Sequence, residues 1–128
     1  MVASCSPRPP ARLAEWLLFV ALAPPLEEVV FRGGVQRWLL TYRTGQRQWA
    51  GITGANVGAS VLFAVTHLAA HSSLIGLSTL FPSLAFGWLR DRTGRLTGPI
   101  LLHAYYNACH LGAAALPAAG RWLATPSS

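Results

Sequence analysis

"PPLEEVVFRGG", residues 24–34, sets two adjacent carboxylates and an arginine among Leu, Val and Phe. The whole 128-residue chain has only four acidic side chains, so half of its negative charge sits at this one place. What a pair of glutamates does in apolar company depends on the solvent, and composition addresses that first. Hydrophobic residues make up 52% of the chain and charged ones 11%, and the mean hydropathy is +0.39. These values lie outside the range of ordinary soluble domains. From Trp49 to Leu89, and again from Leu96 to Gly120, there is no Asp, Glu, Lys or Arg, giving uncharged runs of 41 and 25 residues. Runs of that length read as membrane-spanning helices.

All ten basic residues are arginines, and they cluster between the apolar runs: Arg37, Arg43 and Arg47 in one group, Arg90, Arg92 and Arg95 in another. That is where membrane flanks carry their charge. A nucleic-acid surface would instead interleave basic residues with exposed aromatic and polar ones, so nucleic acid is excluded as a partner. Two isolated cysteines, Cys5 and Cys109, form neither a disulfide framework nor a Cys-x-x-Cys metal pair.

Read along the chain, residues 1–12 form a Pro- and Arg-containing flexible leader, 13–117 one helical domain, and 118–128 a short tail. A leading apolar block, Leu13–Ala23, meets Pro24 and Pro25, where a break or kink is expected before a new helix from about Pro25 to about Tyr42. Trp49–Ala70 is long enough to span, and its Gly54 and Gly58 form a Gly-x-x-x-Gly pair that admits a close helix neighbour. Leu74–Leu89, interrupted by Pro82, and Thr97–Leu116, ended by Pro117, follow. The predicted fold is all-α, a polytopic membrane bundle of about four spanning helices plus the short leading one. The Arg-rich ends at 43–47 and 90–95 should share one side, the cytoplasmic one by the positive-inside rule.

Ionisable side chains inside membrane segments cost at least about 2.5 kcal/mol at mid-bilayer, so each is a candidate for function. Glu28 and Arg32 are four apart and can pair along one helix face. Glu27, about 140° from Arg32 around the helix, is left without a cation and is suited to take and return a proton. Against this stands a plainer role for both glutamates, as first-turn carboxylates complementing the helix dipole. "FAVTH" carries Phe63 one turn before His67, and "HAYYNACH" places His103, Asn107 and His110 at i, i+4 and i+7 on one face. That polar stripe is either part of a site or an interhelical hydrogen-bond seam.

Together the three motifs resemble the CPBP family of intramembrane proteases, which includes the CAAX-processing type II endopeptidases and the bacterial Abi proteins. The matching residues are Glu27–Arg32 as Glu-Glu-x-x-x-Arg, Phe63–His67 as Phe-x-x-x-His and His103–Asn107 as His-x-x-x-Asn. The resemblance implies hydrolysis of a peptide bond of a membrane-associated or C-terminal-tail substrate. Glu27 and His67 would activate water, His103 and Asn107 would stabilise the oxyanion, and Glu28, Arg32 and Phe63 would support them. Family members are described both as metalloproteases and as metal-free glutamate proteases. A Zn²⁺ ion would need three protein ligands, which Glu27, His67 and His103 could supply. There is no His-Glu-x-x-His, and Asn107 reads more easily as a hydrogen-bond donor, so the metal-free form is favoured with Zn²⁺ as the alternative. Since almost nothing precedes the first motif, a homo-oligomer or partner helices are expected beside the lipid bilayer and the peptide substrate. Composition rich in Ala, Gly, Leu and Arg points to a bacterial inner membrane. Two other functions fit the same residues: a catalytically silent scaffold or bacteriocin-immunity protein, and a proton-coupled transport subunit with Glu27, His67 and His103 as a relay. A separation above about 10 Å between Glu27 and both histidines would remove the catalytic reading.

Overall fold

The computed structural model describes residues 13–71 and 74–123, with side chains described as far as residue 114. The expected leader, residues 1–12, and residues 124–128 of the expected tail lie outside it.

The first helical run, α1, covers residues 13–39 without a break. It alternates α-helical turns (Leu13–Trp16, Ala23–Glu28, Arg37–Leu39) with wider π-helical ones (Leu17–Leu22, Val29–Gln36). Pro24 and Pro25 therefore do not break the helix as expected. A proline cannot donate to the carbonyl four residues back, and here the turn before the pair has already widened, with the Ala23 N–H on the Leu18 carbonyl. The prolines then occupy the opening turn of an α-helical stretch, where a missing N–H costs least.

A short helix α2 (Arg43–Gln46) leads into a tight hairpin, β1 (Gln48–Trp49) against β2 (Ile52–Thr53), turned by Ala50 and Gly51, both at positive φ. This hairpin takes the first five residues of the segment expected to span from Trp49. Helix α3 (Gly54–His71) is thereby cut to 18 residues, about 27 Å long. After a 3-10 stretch at Leu74–Thr79, α4 runs over Leu80–Thr93, with Pro82 in its first turn. Gly94, in the left-handed region, caps α4 by donating its N–H to the Arg90 carbonyl. The last helix, α5 (Thr97–Leu123), passes through Pro117 instead of ending there. Alanines on both sides, the strongest helix formers, sustain the winding across one missing bond, and the helix crosses the boundary expected between domain and tail.

Among the described residues no helix is long and apolar enough to cross a membrane, which corrects the expected four spanning helices. The reasons are local. The hairpin shortens α3, 3-10 winding shortens α4, Glu27, Glu28 and Arg32 dilute α1, and the polar stripe dilutes α5. The helices nonetheless form one bundle, with α3 packed on α1, α4 and the 3-10 stretch, and α5 on α4 and α1.

The distribution of polarity across this bundle is inverted. The buried hydrophobic residues are Ala55, Ala59, Phe63, Ala64 and Phe86, whereas Glu28, Arg32, Gln36, Asn56, Ser60, Ser83 and His103 are buried beside them. Leu17, Leu18, Leu22, Leu26, Val29 and Val30 face outward from α1, and Val57, Val61, Leu62 and Val65 from α3. Helix faces with so many exposed apolar side chains around a polar interior suit hydrocarbon surroundings better than water.

Candidate active site

The interior is organised around the stripe Glu28, Arg32 and Gln36 of α1, four residues apart and each fully buried. Arg32 Nε donates to Glu28 Oε2 at 3.3 Å, and its Nη1 reaches Gln36 Oε1 at 3.5 Å and Ser60 Oγ of α3 at 3.4 Å. Nη2 donates to the Ser83 carbonyl of α4 at 2.7 Å and contacts the Ser83 hydroxyl. One guanidinium thus ties three helices through its planar fork of donors. Gln36 extends the network to Asp91 Oδ1 at 2.8 Å, and Asp91 Oδ2 accepts from Thr53 at 2.7 Å. The pair expected between Glu28 and Arg32 is present; the partners from α3 and α4 were not foreseen. Asn56 and Ser60, four apart on α3 and joined at 3.1 Å, carried a signal as a polar pair inside an uncharged run. Ser83 carried none.

Glu28 has a second task. Its Oε1 stands 2.9 Å from His103 Nδ1, both groups buried. A carboxylate accepts, so the imidazole proton belongs on Nδ1, leaving Nε2 as the free face. His67 is oriented likewise: its Nδ1 lies 2.9 Å from the Phe63 carbonyl, which can only accept, so Nδ1 carries the proton there too. Aromatic rings hold both imidazoles. Phe86 stacks on His103 at 4.8 Å between centroids, and Phe63 lies 4.2 Å from His67 with its own edge braced by Phe31 at 5.0 Å.

The two Nε2 faces meet at Glu27. Its Oε2 is 3.6 Å from His103 Nε2 and 4.0 Å from His67 Nε2. Although the Glu27 side chain is one-third exposed (32%), Oε2 itself is shut off from solvent and has no hydrogen-bond partner among the described residues. Imidazoles from α3 and α5 thus approach the same carboxylate oxygen of α1, both well inside the 10 Å limit. Tetrahedral ligands about 2.1 Å from a Zn²⁺ ion stand roughly 3.4 Å apart. The His103 contact approaches that and the His67 contact is wide, and among the described residues no group of three or more His, Cys, Asp or Glu is arranged to hold a metal.

Asn107 donates from Nδ2 to the Phe19 carbonyl at 2.7 Å, fastening α5 to the leading turns of α1. Its amide is thus partly engaged, an arrangement the spacing did not predict, and one further N–H remains to it. Glu27, His67, His103, Asn107 and Phe63 all line one cavity of ≈ 770 Å³, whose remaining wall is largely aromatic and aliphatic. His110, the last member of the stripe on α5, and His71, exposed at the end of α3, line it as well. This volume lies within the range of pockets that enclose organic ligands.

Comparison with curated proteins and with solved structures finds no match. A family model does match, described as Rce1-like, type II CAAX prenyl endopeptidase Rce1-like, over residues 9–109, a span that contains all three motifs and every residue converging on Glu27. The chain belongs to the Rce1-like family of type II CAAX prenyl endopeptidases.

Proposed function

We propose that the chain is a membrane-embedded endopeptidase that hydrolyses a peptide bond of a membrane-associated or C-terminal-tail substrate with a water held by Glu27, His67 and His103. The observation that carries this reading is the approach of two imidazole Nε2 atoms to one buried Glu27 oxygen that has no hydrogen-bond partner among the described residues. Three acceptors at these distances call for a donor, and a water supplies two O–H groups. Glu27 takes one proton as the water oxygen attacks the carbonyl carbon, then returns it to the leaving nitrogen, with His67 sharing the transfer. Glu28 holds His103 in the tautomer that presents Nε2 to this water. The free N–H of Asn107 donates to the oxygen of the tetrahedral intermediate, a role worth about 2.7 to 4 kcal/mol in comparable sites. Family membership and the apolar exterior both support a place in the membrane. The cavity's aromatic and aliphatic wall suits a substrate segment with an apolar tail.

The test is cleavage of a prenylated Cys-a-a-X peptide, and of peptides with other apolar tails, by the purified full chain in lipid nanodiscs. Glu27→Gln should cut at least about 10²-fold more slowly than the parent, the loss expected for a general base. A Glu27→Gln variant that cuts like the parent would sink the mechanism. No step is routed through a metal, so exhaustive dialysis against a chelator should leave the rate unchanged. A rate lost to the chelator and restored by Zn²⁺ would overturn that part.

A further inference from the structure

A second cavity, of ≈ 110 Å³, lies at the opposite end of the buried network, between the C-terminal turns of α1 and α4. We propose that it binds a single phosphate group, independently of any peptidase activity. Its polar wall is Arg32, Gln36, Arg37, Arg90 and Asp91, with Gly94 backbone at its edge. Charge is not balanced there. Arg32 is answered by Glu28, and both carboxylate oxygens of Asp91 already accept, one from Gln36 and one from Thr53. Among the described residues neither Arg37 nor Arg90 has an ion pair, and Arg90 Nε is buried without a hydrogen-bond partner. Two guanidinium groups in a wall whose one carboxylate is already engaged leave a surplus positive charge and an unmet donor, which a tetrahedral oxyanion with several acceptor oxygens satisfies. Size narrows the choice, since ≈ 110 Å³ falls well below the roughly 300 Å³ at which pockets for drug-sized ligands begin. A phosphate group fits, whereas a base or sugar would have to remain outside. The cavity also sits at the Arg-rich end of the bundle, where a membrane protein meets headgroups. The phosphate can therefore be that of a phospholipid headgroup or a free anion.

The experiment uses the purified full chain in uncharged detergent, with two titrations followed by equilibrium binding and by the thermal unfolding midpoint. One titrates inorganic phosphate against chloride at equal ionic strength, and the other short-chain phosphatidylglycerol in mixed micelles. Saturable binding of phosphate establishes a free-anion site, and saturable binding in the lipid titration alone establishes a headgroup site. In either case Arg37→Gln and Arg90→Gln should each weaken binding by about tenfold or more, the loss of a hydrogen bond to a charged group. Arg95→Gln, which removes an exposed arginine outside the cavity, should leave it within about twofold of the parent. If Arg90→Gln does not fold, Arg90→Lys keeps the charge without Nε and should still bind less tightly than the parent, alongside Arg37→Gln. The proposal is overturned if neither titration saturates, or if Arg95→Gln weakens binding as much as Arg37→Gln.

Discussion

Glu27 and Glu28 are neighbours in the chain with opposite surroundings, and the difference is what one residue of helix rotation produces. Glu28 points into the bundle, where Arg32 and His103 occupy its two oxygens, whereas Glu27 faces the cavity with an oxygen that no donor meets among the described residues. Neutralising each should therefore have a different first consequence. Glu27→Gln removes a charge that no arginine among the described residues pairs with, so the protein should fold and accumulate like the parent while losing cleavage. Glu28→Gln strands the fully buried Arg32 cation, a loss of roughly 3 to 5 kcal/mol, and releases the ring of His103. Reduced accumulation and a lower unfolding midpoint should appear before any purely catalytic defect. Replacing Glu28 and Arg32 together by apolar residues of similar volume should restore part of that stability, which thermal unfolding in detergent measures directly, but none of the activity, since His103 then has no orienting partner. If Glu28→Gln were as stable as the parent, the buried pair would not be the structural centre described here.

The helices approach one another where side chains are smallest, and glycines mark the crossings. A Cβ on Gly58 would stand 2.9 Å from Leu39 Cδ1 of α1, and one on Gly54 would run into the Thr44 carbonyl, so the Gly-x-x-x-Gly pair is a contact surface, as its spacing implies. Gly87 of α4 is tighter still, because a Cβ there would collide with the Asn56 carboxamide, which is itself bonded to Ser60 and to the Leu84 carbonyl. Gly87→Ala should destabilise the protein by about 1 to 3 kcal/mol through overpacking. Gly112→Ala on α5, where an added Cβ meets nothing within 4 Å among the described residues, should be neutral or stabilising by roughly 0.5 to 1 kcal/mol from helix propensity. Equal midpoints for the two variants would contradict this account of the α3–α4 contact. The same elements show what could be read in advance. Motif residues spaced four apart, such as Phe63 with His67 and His103 with Asn107, were legible because helical periodicity alone puts them on one face. The hairpin at 48–53 was not, since Trp49 to Thr53 is as apolar as the helix that follows and only the positive φ of Ala50 and Gly51 makes the turn. Nor was the π winding, which follows from how α1 meets its prolines and keeps Glu28, Arg32 and Gln36 in one buried line rather than from any residue's own preference.

At the scale of the molecule, six arginines are gathered at one end, apart from the cavity that Glu27 lines. Asp91, accepting from Gln36 of α1 and Thr53 of β2, fixes the C-terminal turns of α1, the hairpin and the end of α4 beside one another. Arg37, Arg43, Arg47, Arg90, Arg92 and Arg95 all belong to these segments or border them, six of the ten arginines in the chain. Arg92 is held over the Trp88 ring at 4.8 Å, a cation stacked on an aromatic, and both residue types are favoured at membrane interfaces. A membrane that receives this molecule would keep that end in water, and the positive-inside rule makes it the cytoplasmic end. The prediction is checked on the full chain in sealed vesicles of known orientation, with Cys5 and Cys109 replaced by Ser and single cysteines introduced as Arg47→Cys or Arg95→Cys. Both positions are exposed, so neither substitution disturbs packing. An impermeant thiol reagent should reach both from the cytoplasmic face and neither from the other. Labelling of the two from opposite faces would mean that the hairpin and the end of α4 do not share a side in the membrane, and the bond between Thr53 and Asp91 could not then exist. Labelling of both from the far face would keep the fold and invert the molecule, leaving the Arg-rich end outside, against the sign of the charge that the chain concentrates there.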